Sequence, residues 1–478
     1  MSDSVHPLHP LTGDVDLRTY VSEPEVRARG RALRDATPVT ARDREATGAD
    51  RPDVLAFLRA AHAKRLPDLV PLRVGRMISS PFTFYRGAAG LMAADLHRGP
   101  VSGLSAQICG DAHAANFGLF GTPQGEIMMD INDFDESVPG PWEWDLERLA
   151  ASLVLAGRES GVDAEGCRRA ALEAARAYRL EADQLASLHF LEAWTALPDE
   201  SVIGKAKADD LLDNFKKAAK KARKNTSAKV AAKWTHIDDH ETGIRKHRFI
   251  DDPPVLTRIG DGVAEAVIDG LERYAGTLRD SRAHLLARFA VSDIAFRIVG
   301  TGSVGLHSYV ALLHGNDGEV LVLQLKQSIP SALAPFLPVP AARHEGERIV
   351  RAAGLVQAQS DILMGWTSVE LPNPHDGSPE SLPFIVRQFR NFKGSIDPAT
   401  LSGDDLDDYG RLAGALLARA HARSLDPRLT AGYLDGDERF EEAVAAFAVR
   451  YADRTERDHA ELVAAVRSGQ VAAEVPQD

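Results

Sequence analysis

Two short polar segments carry the residue types that hold a metal ion and position a hydroxyl group. Residues 110–116 read Gly-Asp-Ala-His-Ala-Ala-Asn, a turn in which Asp111 and Asn116 stand close enough to converge on one ligand. A largely apolar stretch follows later, and it ends at Asp133 and Asp135. Because magnesium prefers oxygen ligands, the pattern predicts Asn116, Asp133 and Asp135 as metal ligands and Asp111 as the catalytic base for a hydroxyl group.

The turn allows two other interpretations. In a purely structural one, Asp111 and Asn116 cap backbone amides. In a metal-dependent hydrolase, His113 would join Asp111, Asp133 and Asp135 as a ligand, although zinc sites usually include several histidines. We assign His113 to the catalytic residues together with Asp111, and we expect its ring to brace the turn through a hydrogen bond.

A second constellation, much later in the chain, has the composition of a phosphate-binding loop. Residues 300–305 read Gly-Thr-Gly-Ser-Val-Gly, and two apolar runs joined by Asn-Asp-Gly follow, which is a strong hairpin signal. A dinucleotide-binding fold would require a helix directly after the loop, so the context favours a hairpin that covers phosphate groups. The residues predicted to contact the phosphates are Gly300, Gly302, Ser303 and Gly305.

Lys326 lies inside the second apolar run, residues 320–327. A lysine buried in a strand needs an anionic partner, which a nucleotide phosphate supplies; the alternative is an edge-strand lysine that discourages aggregation. A helix is predicted over residues 343–359, and its Glu345, or else Glu347, is expected to orient Lys326. Both glutamates also fit a solvated first turn, where the helix dipole favours acidic residues.

The composition sets the class of protein in which these residues act. The 478 residues suffice for two or three globular units, and a net charge of -13 argues against general nucleic-acid binding. Two cysteines cannot build a disulfide framework. No signal peptide is expected at the polar N-terminus, and no apolar run approaches the length of a membrane span. We therefore expect a cytoplasmic protein with no membrane partner.

Periodicity and turn signals predict the elements that position these residues. Asp145 suits the N-cap of a helix. The predicted helices cover residues 53–64, 145–155, 163–189, 343–359, 406–423 and 439–467. The predicted strands cover residues 107–110, 126–130, 296–299, 308–314, 320–327 and 384–389. Residues 236–254 are polar and contain two adjacent prolines, which indicates a connection between lobes.

These elements group into five segments. Residues 1–50 are predicted to form a loosely structured arm, and residues 51–200 the catalytic turn and metal carboxylates of a larger helical lobe. Residues 201–289 form a basic helical segment and connection, residues 290–395 a β-rich nucleotide-binding lobe, and residues 396–478 helices that complete the larger lobe.

The basic part of the third segment is residues 203–233. It contains ten lysine and arginine residues but little aromatic interleaving. We interpret it as a solvated helix face; the alternative is a docking site for an acidic partner.

The first motif resembles the hallmark of the aminoglycoside-phosphotransferase-like branch of the kinase superfamily, His-Gly-Asp-x-His-x-x-Asn and then Ile-Asp-Phe/Trp-Asp/Glu. Cys109 replaces the first histidine of that hallmark. Residues 417–422, Leu-Ala-Arg-Ala-His-Ala, are similar to a helix that precedes the catalytic turn in that branch. The resemblance implies that Asp145 braces the turn. The other implied roles are a base at Asp111, metal ligands at Asn116 and Asp133, and a phosphate-binding lysine at Lys326.

From about residue 50 onward the chain is still more similar to a bacterial family of unknown function, numbered 2252. The similar segments are residues 80–87, 110–113, 132–136, 387–388, 393–394 and 420–423. This second resemblance implies no substrate. Kinase-like chains place the glycine loop and lysine before the catalytic turn, whereas here the turn comes first. That difference is a cyclic shift of the same elements, which folds tolerate when the old termini lie near each other and the new ones open in exposed loops.

The sequence therefore predicts an α+β fold, two-lobed and protein-kinase-like, in circularly permuted order. The predicted function is ATP-dependent phosphoryl transfer to an unidentified hydroxyl acceptor, a small molecule or a protein, with ATP and Mg2+ as cofactors. Three alternatives stay open: a nucleotide-binding regulator with little catalysis, a nucleotidyl transferase and, less favoured, a metal-dependent hydrolase. The departure at Cys109 leaves room for the regulator.

Overall fold

Helices and antiparallel strands occupy separate parts of this chain, which gives it an α+β fold. The structure is a computed structural model, and it describes residues 21–40, 51–122, 124–195, 212–239, 245–253, 255–298, 301–373, 377–401, 403–435 and 439–474. The described helices are α1 (Glu23–Ala36), α2 (Val54–His62), α3 (Val70–Met77), α4 (Pro81–Arg86), α5 (Ala89–Leu96), α6 (Trp142–Glu159), α7 (Ala164–Ser187), α8 (Phe190–Thr195), α9 (Leu212–Ala222), α10 (Ser227–Trp234), α11 (Asp261–Ala275), α12 (Asp280–Leu286), α13 (Glu345–Val356), α14 (Asp404–His421), α15 (Pro427–Leu434) and α16 (Arg439–Arg467). The described strands are β1 (Ser105–Ile108), β2 (Phe117–Gly121), β3 (Ile127–Ile131), β4 (Val138–Pro141), β5 (Thr235–Asp239), β6 (Arg245–Phe249), β7 (Leu256–Arg258), β8 (Ala290–Arg297), β9 (Ser308–His314), β10 (Val320–Gln327), β11 (Gly365–Pro372) and β12 (Pro379–Gln388).

Six of these strands form one antiparallel sheet in the order β11-β12-β10-β9-β8-β7. Strand β10 lies inside the sheet and is buried on both faces, which explains its continuous apolar run. Leu323 and Leu325 face the core that the sheet shares with α11, whereas Val322 packs on the other face against α10. Because side chains alternate along a strand, Gln324 and Lys326 share the face of Val322.

Helix α13 joins β10 to β11 and packs against β11 and β12. Its sequence favours a helix because His344 caps the start, accepting a hydrogen bond from the amide of Glu347. Ile349, Ala353 and Val356 recur at helical spacing and are buried. The helix therefore presents one apolar face to the sheet.

The largest hydrophobic core lies among α6, α7, α14 and α16. Small residues let these helices approach closely: a Cβ atom added at Gly414 would lie 2.1 Å from the carbonyl oxygen of Ala174. Leu149 and Leu153 of α6 and Leu417 of α14 are fully buried in this core. None of the described helices has an apolar stretch long enough to cross a bilayer.

Two short strand pairs hold the polar segments that carry the predicted chemistry. Strand β1 pairs with β4, and β2 pairs with β3. Residues 109–116 join β1 to β2, and residues 132–137 join β3 to β4. The two connections run side by side, since the amide of Asn132 donates to the carbonyl oxygen of Asn116 at 2.9 Å.

The structure confirms several predicted elements and corrects others. Strands β9 and β10 and helix α16 have the predicted bounds. Residues 236–254 were predicted as a connection, but they contain the hairpin formed by β6 with β5. Helix α6 begins at Trp142, so Asp145 lies inside its first turn and is not the N-cap.

The predicted N-terminal arm is only partly among the described residues, since residues 1–20 and 41–50 lie outside them. Its described part is not loose. Helix α1 packs against α15, and a Cβ atom at Gly30 would lie 2.3 Å from the carbonyl oxygen of Leu429. Gly432 approaches Arg27 equally closely from the other helix. The backbones of α1 and α15 are therefore in direct contact. The charged sequence of the arm does not predict this contact.

The basic segment is described from residue 212 onward, and residues 203–211 lie outside the described chain. Phe215 and Ala219 are buried along one face of α9. Lys216, Lys217 and Lys220 are exposed. The basic residues here form the solvated face of an amphipathic helix.

Candidate functional site

A glycine and a buried aspartate fix the turn of residues 109–116. Gly110 has a φ of 78°, and a Cβ atom there would lie 2.3 Å from the carbonyl oxygen of Glu136, so only glycine fits. The carboxylate of Asp145 accepts hydrogen bonds from the amides of Cys109 and Gly110 at 2.6 and 2.8 Å. His421 Nε2 lies 3.2 Å from Asp145 Oδ2. The brace that the resemblance implied for Asp145 is therefore present.

Asp111 projects from this turn and is paired with Arg148 of α6. Arg148 Nε donates to Asp111 Oδ1 at 2.6 Å, and the guanidinium carbon lies 4.2 Å from the ring centroid of Tyr85. Burial raises the pKa of Asp111 to about 7, even though Arg148 acts in the opposite direction. The carboxylate therefore exchanges its proton near neutral pH.

Asn116 presents its amide oxygen to the cleft. Its Nδ2 donates to the carbonyl oxygens of Asp111 and Asp133, both at 3.1 Å. These acceptors fix the orientation of the amide group, since only the NH2 group donates. Asn116 Oδ1 receives no hydrogen bond from the described residues.

His113 is buried beside Asp111. Its Nε2 lies 3.7 Å from Asp111 Oδ2, which is too long for a hydrogen bond, and its Nδ1 is buried without a partner in the described chain. Burial lowers the pKa of the imidazole, so it is neutral. The hydrogen-bonded brace expected of His113 is therefore not formed in this structure.

Lys326 meets two of the predicted metal ligands. Its Nζ lies 3.2 Å from Asp133 Oδ2, and it also forms an ion pair with Asp135. Only 2% of Lys326 is exposed, and burial acts to lower its pKa, but the two carboxylates outweigh burial and raise it. Lys326 therefore lies beside Asp133, and the lysine is not on an edge strand.

The two carboxylates around Lys326 differ in their protonation. Burial acts to raise the pKa of Asp133, but Lys326 and Arg387 outweigh it and lower the pKa. Burial and the charge of Asp133 raise the pKa of Asp135 to about 6. Asp135 Oδ1 is also buried without a hydrogen-bond partner in the described chain.

Glu345 does not pair with Lys326, which corrects the prediction. Glu345 Oε2 accepts from Arg348 Nε at 2.6 Å on the same helix, and Glu347 pairs with Arg351 at 2.7 Å. Since Asp133 and Asp135 already neutralise Lys326, no third carboxylate is needed. The helix instead reaches the site through Arg348, as described next.

Arg348 binds the connection that carries Asp133 and Asp135. Its guanidinium donates to the carbonyl oxygens of Ser137, Asp135 and Ile329 at 2.6, 2.7 and 3.2 Å. Helix α13 is thus fixed to residues 132–137 by a charged group that bonds backbone oxygens.

The glycine-rich loop is held from behind by the N-terminal helices. Arg73 Nη1 donates to the carbonyl oxygen of Gly302 at 2.7 Å, and Arg65 Nη1 donates to that of Val304 at 2.6 Å. Gly305 has a φ of 88°, and it lies against Arg65 and not in the cleft. Gly302 and Ser303 do line the cleft. Gly300, the fourth predicted loop residue, lies outside the described residues.

These groups surround one cleft of about 340 Å³. Its described lining consists of Arg86, Asp111, His113, Ala115, Asn116, Asn132, Asp133, Arg297, Gly302, Ser303, Gln324, Lys326, Arg387, Phe389, Arg390 and Lys393. Six lining residues are lysine or arginine and two are carboxylates, so the cleft attracts anions. The structure brings together Asp111, Asn116, Asp133 and Lys326 from distant parts of the chain.

Asn116 and Asp133 supply oxygen atoms, the type of ligand that magnesium prefers. Asn116 Oδ1 is free of hydrogen bonds from the described residues, and 44% of the Asp133 side chain is exposed. The described residues contain no group of three or more His, Cys, Asp or Glu side chains that could hold a metal ion. Magnesium is commonly bound through one or two carboxylates plus substrate phosphates, and Asp133 with the amide oxygen of Asn116 would be a protein ligand set of that kind.

Comparison with known proteins gives a family and no relative of known activity. The family model described as "Uncharacterized protein conserved in bacteria (DUF2252)" matches residues 65–465. Neither the curated proteins nor the solved structures contain a match to this chain.

Proposed function

We propose that this chain, which belongs to the family of uncharacterized proteins conserved in bacteria (DUF2252), is an ATP-dependent phosphotransferase acting on a hydroxyl acceptor. One observation carries the proposal. Lys326 and Asp133, 193 positions apart in the chain, meet at 3.2 Å in a cleft that also contains Asp111 and Asn116. A cation, a metal-binding carboxylate, an amide oxygen and a base are the groups that phosphoryl transfer requires.

The order of the elements supports a protein-kinase-like fold in circularly permuted order, with two lobes that meet at the cleft. The six-stranded sheet carries the glycine-rich loop before β9, the lysine on β10 and helix α13 directly afterwards. Kinase-like enzymes use the same succession of loop, lysine and helix. In this chain the catalytic turn and Asp133 come before that succession.

In this proposal the nucleotide phosphates bind between Lys326 and the loop at Gly302 and Ser303. Asn116 Oδ1 and Asp133 would hold Mg2+, which supplies positive charge to the phosphate oxygens. Lys326 remains an ammonium because its neighbouring carboxylates raise its pKa. It therefore contributes a second positive charge to the transferred group.

Asp111 acts on the acceptor. It takes the proton of the hydroxyl group while the hydroxyl oxygen forms a bond to the γ-phosphorus, and the bond from that phosphorus to the bridging oxygen of ADP breaks. A base whose pKa is about 7 suits this step at neutral pH. Arg148 positions the carboxylate, and Asp145 holds the turn from which it projects.

Isothermal titration with ATP and Mg2+ tests the proposal. Wild-type protein is expected to bind, whereas Asp133→Asn and Lys326→Ala weaken binding by about tenfold or more, since each removes a charged contact. Lys220→Ala, which removes an exposed lysine of α9, is the matched control and keeps wild-type affinity. If wild-type protein with a native circular dichroism spectrum binds no nucleotide, the proposal is wrong.

A second candidate, a nucleotide-binding regulator, is favoured by the ion pair of Asp111 with Arg148, which occupies the predicted base. Turnover of ATP labelled at the γ-phosphate separates the candidates. An enzyme loses turnover in Asp111→Asn, whereas a regulator binds ATP and shows no difference. Label that appears on the acceptor only from α-labelled ATP would indicate nucleotidyl transfer instead.

A further inference from the structure

The cleft contains more positive charge than the nucleotide site uses. Beyond Lys326, five cationic side chains line it: Arg86, Arg297, Arg387, Arg390 and Lys393. None of these five forms an ion pair with a carboxylate in the described part of the chain, whereas the two lining aspartates are already paired with Lys326 and Arg148. A cluster of cations without carboxylate partners is costly, because like charges repel and each is partly removed from water.

Two of these cations, Arg297 and Arg390, lie beside Phe389, which is separated from Lys326 along the sheet. The amide of Phe389 donates to the carbonyl oxygen of Val322 at 2.9 Å, and Val322 lies four residues before Lys326 on β10. At a rise of about 3.3 Å per residue, Phe389 is about 13 Å along the strand from Lys326. The two groups of cations are therefore attached to different positions along the sheet.

Phe389 is the centre of this second group. The guanidinium carbons of Arg297 and Arg390 lie 4.6 and 5.1 Å from its ring centroid. Arg297 Nε is buried without a hydrogen-bond partner in the described chain, and so is Arg86 Nε. Buried guanidinium nitrogens without acceptors point to a missing anionic group.

The pKa values of these groups agree with crowding of like charges. Burial, together with the charges of Arg390 and Arg76, lowers the pKa of Arg297 to about 10. Burial and Arg387 lower the pKa of Lys393. A neutral nucleotide base would not offset this charge, and the ring of Phe389 already has two guanidinium groups beside it.

We propose that Arg297 and Arg390, beside Phe389, form a second anion subsite, which binds a phosphate group carried by the acceptor. The inference rests on the proposed function, because it assigns Lys326 to the nucleotide and the arginines to the acceptor. The substrate class is then a phosphorylated compound with a free hydroxyl group. The guanidinium group recognises phosphate through paired hydrogen bonds, which explains why both subsite residues are arginines.

The test uses inorganic phosphate as the probe. Calorimetric titration is done on full-length protein saturated with a non-hydrolysable ATP analogue and Mg2+, so that the analogue occupies the proposed nucleotide site at Lys326. Wild-type protein is expected to bind phosphate, and Arg390→Gln and Arg297→Gln to weaken phosphate binding about tenfold while leaving analogue affinity unchanged. Arg288→Gln is the matched control, since Arg288 is exposed just before the opposite end of β8. If Arg297→Gln does not fold, Arg297→Lys, which keeps a cation beside Phe389 but loses the guanidinium fork, is expected to fold and to bind phosphate more weakly than wild type.

The outcomes separate the two proposals. If the analogue binds but phosphate does not, or if Arg390→Gln loses the analogue as completely as Lys326→Ala does, the subsite for the acceptor is wrong. If wild-type protein binds phosphate in an Arg390-dependent manner but binds no analogue, the subsite stands and the phosphotransferase proposal is wrong. Phosphate bound equally by wild-type protein and Arg390→Gln overturns the assignment to these arginines.

Discussion

The two carboxylates that line the cleft, Asp111 and Asp133, have pKa values shifted in opposite directions by their neighbours. Burial raises the pKa of Asp111 to about 7. For Asp133, burial acts the same way, but Lys326 and Arg387 outweigh it and the pKa falls. Such a difference suits one carboxylate to exchange a proton and the other to stay anionic beside a cation. The proposed roles of base and metal ligand follow this division.

The first prediction concerns the pH dependence of catalysis. A base acts in its deprotonated form, so kcat/KM for ATP-dependent turnover is expected to fall as the pH drops below about 7, where Asp111 gains a proton. Arg148 lowers the pKa of Asp111, so Arg148→Gln is expected to move this fall in kcat/KM, the acidic limb of the profile, to higher pH. The measurement is a pH profile from 5 to 9 at saturating Mg2+.

Two controls accompany the profile. Arg148→Lys keeps a positive charge near Asp111 and is expected to shift the limb less than Arg148→Gln. Asp111→Asn is expected to remove the limb together with most of the activity. If Arg148→Gln loses activity but leaves the limb where it was, Arg148 does not act through Asp111.

Sequence reasoning found the site residues that belong to a local motif and missed those that tertiary packing supplies. Asp111 and Asn116 share one turn, and Asp133 ends one strand, so their spacing is visible in the chain. No local sequence pattern identifies Arg148 as a site residue. It lies three residues after Asp145 on one helix face, and its pairing with Asp111 depends on how α6 crosses the turn. Glu345 is predicted to orient Lys326 because it lies on the helix that follows the lysine strand, but Asp133 and Asp135 pair with the lysine instead.

At the scale of elements, Arg348 links the position of α13 to the connection of residues 132–137. This residue bonds the carbonyl oxygens of Ser137 and Asp135, and Glu345 neutralises its charge. A change in the angle of α13 therefore displaces the backbone that carries Asp133 and Asp135. The helix has this effect without touching Lys326.

The second prediction tests that connection with two arginines of the same helix. Arg348→Met leaves up to three carbonyl oxygens without a donor, at a cost of roughly 1–3 kcal/mol for each one that stays buried. We expect lower thermal stability and a higher Mg2+ concentration for half-maximal turnover. Arg351→Met removes an exposed arginine one turn nearer the end of α13 and is expected to change neither quantity. An unchanged Mg2+ requirement in a folded Arg348→Met protein would contradict the coupling.

Elements with local signals were predictable, and those that depend on distant pairing were not. The hairpin of β9 and β10 has an Asp-Gly turn between apolar runs, and its bounds were predicted correctly. Strand β11 was missed, although Thr367, Val369 and Leu371 alternate with more exposed residues in the way a strand requires. Hairpin β5 with β6 is polar, and its pairing has no apolar pattern that would predict it.

At the scale of the whole molecule, the cleft collects residues from the entire chain. Arg86 comes from α4, Arg297 from β8 and Arg390 from the segment after β12. Lys326 and Asp133 each belong to a recognisable motif, so both were visible in the sequence before the structure brought them together. No motif links the three arginines, so their common position follows only from the packing of the sheet against the helices.

The N-terminal helices are joined to α16 by a buried ion cluster. Arg51 donates to Asp95 at 2.7 and 2.9 Å and to Asp458 at 3.0 and 2.6 Å, and its side chain is 6% exposed. The hydroxyl group of Tyr451 also donates to Asp95. These helices hold the glycine-rich loop through Arg65 and Arg73, so the cluster supports the cleft from a distance.

The third prediction removes the cation of this cluster. Arg51→Met leaves Asp95 without a cation and Asp458 with only the partly exposed Arg454, which is expected to lower the free energy of unfolding by about 3–5 kcal/mol at pH 8. Burial already raises the pKa of Asp458, and without Arg51 one carboxylate binds a proton more tightly in the folded state. Stability contributed by that proton is present at low pH and is lost as the pH rises, so the loss should be smaller at pH 5.5 than at pH 8. Urea unfolding at both values measures it, with the exposed Arg59→Met of α2 as a control that stays near wild type. An equal loss at the two pH values would mean that the carboxylates do not share a proton.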